Sequence, residues 1–191
     1  AADTGGAMVG LLIAALVVWL AQSTNLQLGE NTFRTVVLIS LVPALFAVIS
    51  LAVIAKDVKV QDASAATKIS FKRLGKPFLV FMLIVGLFDL GNSSDAFLVL
   101  RAQERGVSVL GILLMLAAFN LIYALVSTPA GNLSDHIDRR LVIIGGWLLY
   151  GLIYLGFALA RQPWHVWTLY CAYGLYYGLT YGTAKAMVAD L

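Results

Sequence analysis

A chain of 191 residues with 12% charged and 61% hydrophobic side chains cannot clothe a water-soluble surface, because soluble domains carry about 25% charged residues. The mean hydropathy of +0.89 makes the bilayer the natural solvent, and the net charge of +3 matters less as a total than in where its members sit. A single cysteine, Cys171, excludes an intrachain disulfide and any cysteine cluster for metal; it reads as a small apolar helix residue.

Six segments are apolar enough, for long enough, to cross a hydrocarbon core about 30 Å thick. The first, Gly5–Ala21, lacks the preceding basic region and following cleavage site of a signal peptide. After the polar stretch Gln22–Thr32 comes the second, Phe33–Ala55, which Pro43 is expected to kink. Lys56–Lys76 is the longest hydrophilic stretch. The third span, Pro77–Leu100, opens on a proline suited to a first helical position. The link Arg101–Gly106 leads to the fourth, Val107–Pro129, and Ala130–Arg140 to the fifth, Leu141–Ala160. Arg161–His165 leads to the sixth, Val166–Ala189. These segments are apolar all round, unlike soluble amphipathic helices, and lack the alternation of transmembrane β-strands. The expected fold class is all-α: a polytopic transmembrane helix bundle. The chain opens at Ala1 without a methionine and closes at Leu191 without a polar tail, so both ends are expected to be cuts in something longer.

Alternating spans sort the connections into two sets. One holds Lys56, Lys59, Lys68, Lys72, Arg73, Lys76, Arg139 and Arg140, with Lys185 on the same side. The other holds Arg34, Arg101, Arg105 and Arg161, half as many. The positive-inside rule puts both chain ends and the loops 56–76 and 130–140 in the cytoplasm. Loop 56–76, with Ile69 and Phe71, reads as a solvated linker between two bundles.

The fourth-to-fifth link runs Gly131-Asn132-Leu133-Ser134-Asp135-His136-Ile137-Asp138-Arg139-Arg140. Pro129 and Gly131 are expected to stop one helix and permit a tight turn. Asp135 can pair with an arginine or accept from a helix N-terminus, and Arg139 and Arg140 can bridge to carboxylates or lipid phosphates. Such a cluster can latch two bundles in one state and release them in another. The segment resembles the G-x-L-[AS]-D-[RK]-x-G-R-R loop of the major facilitator superfamily. His136 replaces a basic residue and Asp138 a glycine, departures that fit the degenerate copy in that family's second half. Residues 88–97 are similar to helix seven of a bacterial branch of the family, and 185–191 to the cytoplasmic end of helix ten.

The resemblance implies a piece of a twelve-helix transporter. Residues 1–55 would be the last two helices of the N-terminal bundle, 56–76 the central cytoplasmic loop, and 77–191 the first four helices of the C-terminal bundle. Partners implied are the bilayer, the missing helices, a small solute and protons, in a bacterial inner membrane. Gly5, Gly6 and Gly10 resemble the glycine-rich fifth helix of antiporters, though the expected proline is missing.

Polar groups inside the spans are the candidate path. Asp89 lies 12 residues past Pro77, about 18 Å along a helix, with Asn92 and Ser93 on its face and Asp95 turned away toward the outer surface. Asp89 is the candidate proton carrier, and Asn92 and Ser93 the candidate solute contacts; the alternative is a structural carboxylate. Asn120, Tyr123 and Ser127 form a stripe that either lines a cavity or ties helices together. Tyr170, Tyr173, Tyr177 and Tyr181 share a narrow arc that can line a cavity for an amphipathic or aromatic solute; for Tyr170, near an end, the alternative is a place in the interface belt. Gly174, Gly178 and Gly182 lie on the adjacent arc and read as packing positions. Lys185 is expected to snorkel.

His136 and His165 fall on opposite sides, no phosphate-binding G-x-x-x-x-G-K-[ST] loop occurs, and no catalytic set lies at one depth. No cofactor, nucleic-acid partner or enzymatic activity is expected. The function indicated is transport by a rocking, alternating-access carrier. It would be driven by protons through Asp89 or by the solute's own gradient, with direction open and a lean to export. The rival reading is a six-helix membrane scaffold that transports nothing.

Overall fold

The computed structural model describes residues 2–22, 25–54, 75–92 and 94–190. Ser93 and the 56–76 loop, apart from Gly75 and Lys76, lie outside the described residues. Among those described, seven helices follow one another: α1 (Ala2–Gln22), α2 (Glu30–Val53), α3 (Lys76–Gly91), α4 (Asp95–Glu104), α5 (Val109–His136), α6 (Arg139–Leu159) and α7 (Pro163–Asp190). No strand occurs among them. The fold is all-α, as expected of a partial transporter bundle. Five stretches are long and apolar enough to cross a membrane: α1, α2, α3 with α4, α5 and α6. The sixth, α7, has the length of a span at 28 residues, but its tyrosines and threonines dilute its apolar character.

Two compact units divide the chain. One contains α1, the start of α2, and α4 to α7. Here α7 packs on both α5 and α6, and α1 lies along α5. On α1 the buried Ala15 and Val18 and the half-buried Thr4, Met8 and Leu11 recur at helical spacing, so one stripe is covered while Leu12, Leu16 and Trp19 stay exposed. Glycine allows the α5–α7 approach. A Cβ at Gly174 would stand 2.7 Å from the Phe119 carbonyl oxygen, and one at Gly178 2.7 Å from the Val126 side chain. Gly182 departs from the packing expectation, since nothing comes within 4 Å of a Cβ there. On the α6 side, Gly146 receives the Thr180 side chain and Gly156 that of Leu169. The other unit holds the rest of α2 and α3. α2 passes through Pro43 unbroken with its apolar side chains exposed. α3 starts just after Gly75, with Pro77 in its first turn and Phe81 buried.

Three expectations are corrected. The third span is not one continuous helix. At its break the Asn92 N–H bonds to the Asp89 carbonyl, three residues back, and the Ser94 hydroxyl accepts from the Ala96 N–H. Those short bonds end one helix and cap the next where a continuous helix would carry i−4 bonds. Second, Pro129 and Gly131 do not stop the fourth span, for α5 continues to His136. A proline removes a single N–H, and membrane helices tolerate it when the surrounding bonds hold. The stop is instead at Ile137, where Asp138 accepts from the Arg140 N–H and starts α6. Third, Arg101 is not in a link: α4 runs to Glu104.

Candidate functional site

The polar centre of the first unit is built on α4, α5 and α7. Ser94 caps α4 and Asp95 occupies its first turn. The Tyr173 hydroxyl of α7 donates to Asp95 Oδ1 at 2.7 Å. Tyr173 is 0% exposed while Asp95 is exposed, so the carboxylate stands at the edge of a buried ring cluster. Phe119 of α5 enters that cluster from the facing helix. Its ring centroid lies 5.7 Å from Tyr173, 5.4 Å from Tyr177 and 6.1 Å from Tyr170. Tyr177 lies 5.1 Å from Tyr173 and 6.0 Å from Tyr123. From α6, Tyr150 and Tyr154 close the far side at 6.4 and 6.2 Å from Tyr173. Tyr176 stacks on Tyr173 at 5.7 Å. Edge and tilted geometries dominate, as ring quadrupoles favour.

The Tyr170, Tyr173, Tyr177 and Tyr181 arc read from spacing is thus one face of α7, but its members differ. Tyr170 is 1% exposed and its hydroxyl has no hydrogen-bond partner among the described residues. It is therefore not an interface residue. Tyr181 is 50% exposed, and Lys185 Nζ sits 4.2 Å above its ring. The lysine expected to snorkel is therefore held by a cation–π contact.

The three members of the α5 stripe differ in their partners. Asn120 donates to the Leu116 carbonyl at 2.9 Å and Ser127 to the Tyr123 carbonyl at 2.6 Å, both within α5. Of the three, Tyr123 alone joins the ring cluster. Asp89 is exposed on α3, in the other unit. Because α3 ends at Gly91, Asn92 is its C-cap and does not continue the Asp89 face.

At the opposite end of α5, Arg139 bridges two carboxylates. It lies 3.3 Å from Asp135 and pairs with Asp190 of α7 in a close ion pair. Ser134 is buried and bonds the Gly131 carbonyl. Arg140 is exposed, its N–H held by Asp138. The cluster therefore ties α5 and α6 to the end of α7. Asp190 was not singled out from the sequence, and only its acidic character near a membrane face could have signalled it. Nor was Arg101, whose guanidinium caps α6 by donating to the carbonyls of Phe157, Ala158 and Ala160 at 3.2, 3.0 and 3.3 Å. Phe119, Tyr150 and Tyr154 were missed too; the i, i+4 spacing of the two tyrosines was the available signal.

A family model described as Major Facilitator Superfamily matches residues 1–191. A protein of Methanocaldococcus jannaschii described as an uncharacterized MFS-type transporter is 32% identical over 195 residues, covering 99% of this chain and 47% of its own length. The chain spans about half the length of that relative. No solved structure matches.

Proposed function

The chain belongs to the major facilitator superfamily, and from that membership we propose that it is part of a secondary transporter carrying a small solute across a cell membrane by alternating access. The observation that carries this reading is the Asp95–Tyr173 bond, a carboxylate on the short helix α4 at the edge of an aromatic cluster on the span-length helices α5 and α7. Ionisable groups in that setting mark solute or ion paths. Tyr123, Tyr177 and Tyr181 offer the ring surface, Asp95 the charge, and the buried Tyr173 the bond that holds it. Asp89, an exposed carboxylate on an apolar helix, is assigned the coupling proton, with export in exchange for protons as the working direction. Both ends of the segment and the loops 56–76 and 130–140 face the cytoplasm in this reading, and Gly131, Asp135, Arg139 and Arg140 belong to the latch.

The test uses the full-length protein in proteoliposomes containing a pH-sensitive dye. Addition of a panel of small organic solutes is expected to move protons in the wild type. Asp89→Asn is expected to abolish that movement. Wild-type vesicles that pass neither solute nor protons would turn the reading toward a scaffold. Solute-driven proton movement unchanged in Asp89→Asn would remove the coupling role.

A further inference from the structure

Building on the transporter reading, we propose that the centre between α4, α5 and α7 recognises an organic cation, with Asp95 as counter-charge, the half-buried rings of Tyr123 and Tyr177 as its aromatic wall, and the buried Tyr173 as the residue that holds the carboxylate. A carboxylate on a membrane helix is costly unless it is paired, protonated or fully hydrogen-bonded. Asp95 receives one bond, from Tyr173. Among the described residues no basic side chain pairs with it. Arg101, on the same helix, is already held by Glu104 and by three carbonyls of α6. The charge is left at the exposed edge of the ring cluster, with the Tyr173 hydroxyl as its donor.

Those rings make the site selective for sign. The face of an aromatic ring is electron-rich and attracts cations. The same stripe already demonstrates this, since Lys185 rests 4.2 Å over Tyr181. An anion would meet both Asp95 and the negative ring faces, and a neutral solute would gain nothing from the carboxylate. A bulky amine or quaternary cation gains from both, while its apolar groups find an apolar wall. The hydroxyl of Tyr170, a buried residue beside Tyr173, has no partner among the described residues and adds a polar group to the same cluster.

The probes are tetraphenylphosphonium and its anionic isostere tetraphenylborate, in equilibrium binding to the full-length protein in detergent. Wild type is expected to bind the cation and to reject the anion. Asp95→Asn keeps an acceptor oxygen for Tyr173, and so the fold, yet is expected to weaken cation binding by at least about tenfold. Asp95→Glu is expected to recover most of it, and Tyr177→Leu to weaken it by about three- to tenfold. Equal binding of both isosteres, no cation binding by wild type, or an unaltered affinity in a monodisperse Asp95→Asn protein would each overturn the proposal. Solute-driven flux without phosphonium binding removes the cation site and spares the transporter. Phosphonium binding that depends on Asp95, without flux of any solute, spares the site and removes the transporter.

Discussion

Two arginines show how one charge is placed to hold helices. Arg101 caps the C-terminus of α6, where unsatisfied carbonyls and the negative end of the helix dipole favour a cation. Its ion pair with Glu104 is a lesser matter, since the glutamate side chain is 63% exposed. The two contributions separate by mutation. Arg101→Ala is expected to cost about 2 kcal/mol, because three orphaned carbonyls lose a charged donor. Glu104→Ala should cost about 0.5 kcal/mol or less. Thermal unfolding of the full-length protein measures both, and equal losses would show that the ion pair, not the cap, matters. Arg139 is the second case. Both of its carboxylate partners are mostly exposed, so Asp190→Asn should cost only about 0.5–1 kcal/mol of stability. As part of a latch it should do more to conformation. Cysteines placed near His136 at the end of α5 and near Asp190 at the end of α7 should react faster with a water-soluble thiol reagent in Asp190→Asn than in the parent protein. An unchanged rate would make Arg139 a static brace. The pairing of Asp135 with an arginine was readable because i, i+4 partners share a helix face. The Arg139–Asp190 pair was not, since it depends on where α7 ends relative to α6.

At the level of the helix, composition announced each span, but the boundaries followed local hydrogen bonding that hydropathy does not register. Ser94, Ser108 and Asp138 are the caps that start α4, α5 and α6. The break before Ser94 had the largest consequence for the site. On a continuous helix Asp95 would be turned away from Asp89 in a fixed phase, which made it the weaker candidate. The break removes that phase, and Asp95 meets Tyr173. The tyrosine arc was legible because a period of about 3.6 residues needs no tertiary information. Phe119 was not, because one more apolar residue in an apolar helix carries no signal until α7 is packed on it. The glycine stripe was legible only in part, and its members are separable by experiment. Gly174→Ala would drive a methyl into the Phe119 carbonyl, a backbone atom that cannot rotate aside. It is expected to cost about 1–3 kcal/mol. Gly182→Ala meets open space and should be neutral or stabilising by up to about 1 kcal/mol through helix propensity. Similar melting temperatures for the two variants would show that α5 and α7 are not in close contact there.

Across the whole chain the question is which helices belong to which half of the proposed transporter. On the proposed division, residues 1–55 end one bundle and 77–191 begin the other. The seam between halves then includes the α1–α5 contact, formed by Ala15 and Val18 on the α1 side. Thr4, Met8 and Leu11 extend the same covered stripe of α1, and the Val109 N–H donates to the Asn25 carbonyl at 3.2 Å where the chain leaves α1. The division also demands an even number of crossings between the loops 56–76 and 130–140, so both must lie on one side, with 161–165 on the other. Charge alone supports this orientation, because basic residues resist transfer across the membrane. A thiol-mapping experiment can decide it. In full-length protein with Cys171→Ala, single cysteines replace Ser64, Asn132 or Gln162. A membrane-impermeant maleimide applied to intact cells is expected to label position 162 and to spare 64 and 132, which should react only after permeabilisation. If 64 and 132 label on different sides, the broken third span, α3 with α4, does not cross the membrane as one unit. The division into two and four helices would then fall with it.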